Sequence, residues 1–209
     1  MFILKRALYT FILIAPIIFT SCSESTSPYS NNDGLIPLSV GNSWSYQFTD
    51  YDSSGAVIYT EIQTNKIDKD TIISNNIWYG YNYIPVSVWF INKADGYWSF
   101  AKRNGNTLMN DTSIIVYKYP TKAGDVYGNP YTPSEVISTE EEITVPAGTF
   151  NAIHITTNYS SLNNNFLYSF ETYIVPHIGV IKLEQIGKKS NGDTYIVYKS
   201  ELESYSLKN

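Results

Sequence analysis

Apolar and polar residues alternate with a period of two along most of this chain from Leu35 onward. Trp44, Tyr46 and Phe48 alternate with Ser45, Gln47 and Thr49; Ile58, Thr60, Ile62 and Thr64 alternate with Tyr59, Glu61 and Gln63. Successive side chains on a strand point to opposite faces, so the pattern predicts strands with one covered face. Residues 77–84 read as an aromatic strand stopped by Pro85, and residues 114–119 as a strand stopped by Pro120. Residues 86–91 and 97–101 flank a turn at 92–96, and Asn104-Gly105 is a second hairpin signal. Strands at 135–145 and 150–159 are joined by Pro146-Ala147-Gly148-Thr149, where proline presets the first turn position and glycine closes it. Phe166, Tyr168, Phe170 and Ile174 share a face of the next strand; strands at 178–186 and 194–205 follow around Asn191-Gly192. The breaker-rich residues 124–133 are predicted to bulge as a loop over one end of the sheet. This succession predicts an all-β antiparallel meander. Its apolar face must be covered by curling into a half-barrel or barrel, or by folding into a sandwich.

The N-terminus breaks the pattern. Lys5 and Arg6 precede a run from Ala7 to Phe19 that is nearly all apolar, followed by Thr20, Ser21 and the only cysteine, Cys22. A charged start, a short apolar stretch and small residues at the cut make a secretory signal. The run is too short for a spanning helix, which needs about 20 apolar residues. Phe19-Thr20-Ser21-Cys22 resembles the lipobox of bacterial lipoproteins, with Phe where Leu is usual. That resemblance implies cleavage before Cys22, a diacylglycerol on its thiol and a further acyl chain on its new amino group. Two or more chains anchor stably where one does not. The organisation expected is therefore a signal peptide over 1–21, with its signal helix, then a flexible polar tether over 22–34 and a single β domain over 35–209. A tether of that length spans about 20 Å on average.

Composition supports strands. Nineteen tyrosines stand in the chain, and tyrosine suits half-exposed strands. Removing Lys5 and Arg6 takes the formal charge from −5 to −7. An acidic chain argues against nucleic-acid binding, which clustered Lys and Arg drive. It also argues against electrostatic attachment to anionic lipid, leaving the acyl chains as the membrane anchor. One cysteine permits no internal disulfide framework.

Few residues suggest chemistry. Asp50, Asp52, Ser54 and Glu61 match the spacing of a calcium loop, with Gly55 at its sharp turn. Such loops join helices, whereas both flanks here alternate as strands, so a solvated hairpin turn is the favoured reading and no metal or other cofactor is expected. His154 and His177 lie far apart without ligand spacing; His154 is expected to be exposed, opposite Ile153 and Ile155. Of Glu140, Glu141 and Glu142, only the first and last would share a strand face, and no catalytic residue is assigned. The aromatic middle third offers a possible binding surface at Trp78, Tyr81, Trp89 and Trp98. Alternation forces Trp78 and Tyr79 apart, and likewise Tyr97 and Trp98, so some rings must face outward.

Three stretches share an order with known proteins: Leu38 to Tyr46 containing Gly-Asn-Ser-Trp-Ser-Tyr, Val145-Pro146-Ala147-Gly148-Thr149-Phe150, and Ile178-Gly179-Val180-Ile181-Lys182. The order resembles a group of bacterial envelope lipoproteins and secreted β-proteins with DUF3108-like or TapB-like domains. The resemblance implies a curved antiparallel sheet and export to the envelope, and no enzymatic activity. Ser23 after the cysteine, in place of an inner-membrane retention Asp, favours the outer membrane. The expected function is a binding or interaction module with a glycan, lipid or envelope protein as partner. A carrier of hydrophobic ligands is the second reading and a hydrolase of envelope polymers the third.

Overall fold

The computed structural model describes residues 34–84, 88–101, 113–160 and 166–208. The signal segment, Cys22, most of the tether and the Asn104-Gly105 turn lie outside them. Twelve strands form: β1 (Ser43–Tyr51), β2 (Val57–Ile73), β3 (Asn76–Tyr81), β4 (Val88–Lys93), β5 (Gly96–Ala101), β6 (Ile114–Lys118), β7 (Val126–Asn129), β8 (Thr132–Val145), β9 (Gly148–Ser160), β10 (Phe166–Val175), β11 (Gly179–Lys188) and β12 (Thr194–Ser206). No helix occurs among the described residues.

All pairings are antiparallel, in the order β6-β5-β4-β3-β2-β1-β12-β11-β10-β9-β8-β7. The meander thus runs outward from β1 in one direction, returns through β12 in the other, and leaves β6 and β7 as edges. These two strands are consecutive in the chain. Across the seam between them, Lys118 Nζ lies 2.9 Å from the Asp125 carboxylate. The sheet is a nearly closed barrel, a solution that leaves little exposed edge.

The alternation explains which face turns inward. Trp44 and Tyr46 of β1, Ile155 of β9, Ile174 of β10, Ile181 of β11 and Leu202 of β12 are all buried in one core. On the outer face of β11 and β12, Lys182 opposes Glu201 and Glu184 opposes Lys199. Lys182–Glu184 (3.0 Å) and Lys199–Glu201 (2.7 Å) complete a checkerboard of four charges. On these two strands the inside is apolar and the outside charged, the inverse of a membrane-spanning barrel, whose outward band is apolar.

One end of the barrel is sealed by the segment preceding β1. Leu35, Ile36 and Leu38 are buried. Their backbone is tied to several strands: His177 N–H donates to Leu35 C=O, Asn92 Nδ2 to Ile36 C=O, and Gly41 N–H to Ile67 C=O. Trp44 Nε1 donates to Ile178 C=O (2.6 Å) and Tyr46 Oη to Val180 C=O (2.8 Å), while Ala147 N–H donates to Leu202 C=O. The three stretches of the family resemblance therefore converge on this sealed end. Gly179, at φ +113°, passes within contact distance of the Trp44 indole.

Two expectations are corrected. β2 extends well beyond residue 64, because Val57 to Lys66 pairs with β1 while Ile67 to Ile73 pairs with β3. Residues 124–133 are not a bulging loop: they contribute β7 and the start of β8. The Asn129 side chain accepts from the N–H groups of Tyr131 and Thr132, making the tight turn at Pro130.

Candidate functional site

The barrel is not completely filled. A chamber of about 270 Å³ lies against the sealed end, beneath Ile36, Trp44 and Gly179. A second, of about 590 Å³, lies toward the opposite end, between β6 and the inner faces of β8 to β10. Val116, Tyr117 and Leu183 line both, so the two chambers adjoin at these residues.

Rings line the chambers on more than one side. Across β3 to β6, Tyr81, Phe90, Tyr97 and Tyr117 form a run of ring contacts at centroid distances of 5.4, 5.3 and 6.0 Å. The last two are parallel stacks, an arrangement favoured when rings are offset. Across β8 to β11, Ser134, Thr157, Thr172 and Leu183 stand beside a second pair of rings, Tyr159 and Phe170, in edge contact at 5.7 Å. No Asp, Glu, Lys, Arg or His lines either chamber among the described residues. The phenols add no charge: burial pushes Tyr46 and Tyr97 well above the ordinary tyrosine value, and raises Tyr198 to about 12. Tyr97 Oη donates to Tyr81 Oη at 3.4 Å. Asn65 Oδ1, at the first chamber, is buried without a hydrogen-bond donor among the described residues. The chemistry available is apolar contact, aromatic stacking and a few neutral hydrogen bonds.

The possible surface read from sequence divides. Trp78, Trp89 and Trp98 share the outer face of β3 to β5, where Trp89 opposes Phe100 and Ile91 opposes Trp98. Tyr81 lies on the inner face and lines the first chamber. The calcium-spaced residues occupy the β1–β2 hairpin. The Asp52 carboxylate accepts from Ser54 Oγ (2.6 Å), Ser54 N–H (2.8 Å) and Ala56 N–H (3.0 Å), bonds that lower its pKa. Asp50 and Glu61 stand on the flanking strands opposite Tyr59 and Phe48, and Glu61 accepts from Tyr59 Oη. Among the described residues no three His, Cys, Asp or Glu side chains gather as a metal site.

His154 corrects the sequence reading. It faces outward, but its side chain is only 14% exposed. Nδ1 lies 2.8 Å from Glu141 and Nε2 2.9 Å from Glu171, while the ring stacks on Tyr173 at 4.4 Å. Register irregularities in β8 between Val136 and Glu141 place Glu141 beside His154. Glu171 also accepts from Thr156 Oγ1. Sequence spacing carried no trace of this cluster, since its members come from three strands.

Burial opposes a charged His154 ring, but hydrogen bonds and charge from Glu171 and Glu141 outweigh it and hold its pKa above the usual 6.5. Burial likewise opposes ionised Glu171, and the bonds from His154 and Thr156 prevail, lowering it from 4.5. The raised histidine stabilises the fold below pH 6.5 and ceases to do so as pH rises through its folded value. The lowered glutamate stabilises above 4.5 and ceases to do so as pH falls through its own. Stability from this cluster is therefore expected to peak between about pH 4.5 and 6.5. His154→Gln should flatten the neutral side of a Tm-against-pH curve, removing about 1 kcal/mol at pH 6. An unchanged curve would show that the cluster does not couple to folding.

The fold and interior define a small antiparallel barrel with one sealed end and uncharged, largely aromatic chambers. No family profile and no curated relative matches the chain. Among solved structures, a Bacteroides fragilis protein described as exported, with a YmcC-like fold, covers 82% of this chain and 98% of its own at 14% identity and a TM-score of 0.43. A Parabacteroides distasonis protein described as a lipoprotein covers 83% and 99% respectively, at 15% identity and the same TM-score. Neither likeness is close enough to bring an activity to this chain.

Proposed function

We propose that this chain is a lipid-anchored envelope protein that holds one uncharged, mainly apolar ligand inside its barrel. The two adjoining interior chambers, lined largely by aromatic and apolar side chains and by no ionisable group other than neutral phenols, carry the reading. Ligand sites are concave, mostly apolar and furnished with a few polar groups, and this interior has that make-up. The open interior reverses the order of the sequence expectations: the carrier moves ahead of the interaction module. A hydrolase gains nothing from Glu141 and Glu171, which converge on His154 on the outer face instead of facing a cleft.

The neutral probe 1-N-phenylnaphthylamine should bind the purified protein saturably with enhanced fluorescence. Leu183→Trp, at the junction of the chambers, should weaken binding at least about tenfold, the equivalent of 1.4 kcal/mol. Val116→Trp, on edge strand β6, is a second filling variant should the first perturb folding. A protein that does not bind the probe, or filled variants that bind it as wild type does, would sink the proposal.

The anchor rests on the sequence. The acyl chains would sit on Cys22, with the outer membrane the favoured location because Ser23 follows it. Cys22→Ser should abolish incorporation of labelled palmitate and leave the precursor unprocessed; normal labelling of that variant would remove the anchor from the proposal.

A further inference from the structure

The outer face of β2 to β6 carries a second aromatic cluster, which meets the second chamber only at Trp98. Trp78, Ile91 and Phe100 are buried there, with Trp89 and Trp98 packed around them. Next to the cluster lies a groove of about 700 Å³, lined by Trp78, Trp89, Phe100 and Lys93 together with polar residues including Thr71 and Asn76. Unlike the interior chambers, it is lined by a charged side chain, Lys93.

Two observations point to a ligand. Lys93 Nζ sits over the Trp98 ring at 4.0 Å and over Trp78 at 5.7 Å, and donates to Ser113 Oγ at 2.9 Å. No carboxylate lies within ion-pair distance of it among the described residues, in a chain of net charge −5. Trp78, only 5% exposed, has a buried Nε1 with no acceptor among the described residues. A buried donor without a partner costs about 1–3 kcal/mol, which an acceptor arriving with a ligand would recover. By contrast, Trp98 Nε1 is already bonded to Asp95.

We propose that this groove binds a saccharide bearing a carboxylate. The acid group pairs with Lys93 and accepts from Trp78 Nε1–H. The sugar ring packs on the half-buried Trp89, and its hydroxyls reach Thr71 and Asn76. Aromatic faces suit the apolar faces of sugar rings, and charge complementarity selects an acidic sugar over a neutral one.

The test titrates the purified full chain with trigalacturonic acid and, in parallel, with neutral cellotriose, followed by calorimetry and tryptophan fluorescence. Saturable binding of the acidic trisaccharide is expected, at least tenfold tighter than the neutral one. Lys93→Met preserves the stem packed on the indoles and should weaken acidic binding at least tenfold, with Tm near that of wild type. Trp78→Phe removes the donor and should weaken binding severalfold. If Lys93 merely braces the aromatic cluster, Lys93→Met will bind trigalacturonic acid as wild type does, and the proposal falls. It falls equally if wild type shows no saturable binding or does not discriminate between the two sugars. Binding of 1-N-phenylnaphthylamine within the barrel is independent of each of these results.

Discussion

Trp44→Ala is expected to destabilise the protein by about 3–5 kcal/mol, measured as a fall in the urea midpoint. Trp44 is 2% exposed and holds the sealed end of the barrel from beneath. It rests against Gly179 and Ile36, packs on Tyr81 at 6.1 Å, and donates to Ile178 C=O. Removing the indole leaves a void next to an existing chamber and orphans a carbonyl. Trp44→Phe refills most of the void and loses only the hydrogen bond, so its cost should be nearer 1–2 kcal/mol. A Trp44→Ala variant within 1 kcal/mol of wild type would show that the sealed end is not part of the cooperative core.

Asn42→Leu should cost about 2–4 kcal/mol by the same measurement, despite the similar branched shape. Asn42 is fully buried. Its Nδ2 donates to Pro37 C=O at 3.0 Å and its Oδ1 accepts from Lys208 N–H at 2.7 Å. One amide thus fastens the sealing segment to the chain beyond β12. Leucine supplies apolar bulk but leaves a buried carbonyl and a backbone N–H unpaired. Asn42→Asp keeps the acceptor, loses the donor and buries a charge, and should be no better. A neutral Asn42→Leu would show that water replaces both partners at no cost.

The all-β meander was legible because the barrel has a dry inside and a wet outside, which stamps a period of two on the chain. The alternation even separates neighbours correctly: Tyr79 and Tyr97 pack with the inner core, while Trp78 and Trp98 pack with the outer cluster. The far half of β2 was not legible. There Ile67 is fully buried among Lys66, Asp68 and Lys69, where the strand exchanges one partner for another. β7 was hidden because its pairing tolerates Gly128 and places Pro133 directly opposite. The site was less readable still. Val116, Tyr117 and Leu183 meet at the junction of the chambers only because β6 lies across the barrel from β11. The placing of Glu141 beside His154 depends on an irregular strand register that no spacing announces.

The sealing segment also determines how the molecule bears load. Gly34 packs against Asn92, and the next residues are the ones that close the end. A pull arriving through the residues before Gly34 therefore falls on Leu35 and Ile36 before it reaches any strand. It is shared between the His177–Leu35 and Asn92–Ile36 bonds, which belong to opposite arms of the sheet. Such a pull would be spread over both halves of the barrel, and the first thing it would uncork is the chamber beneath Ile36.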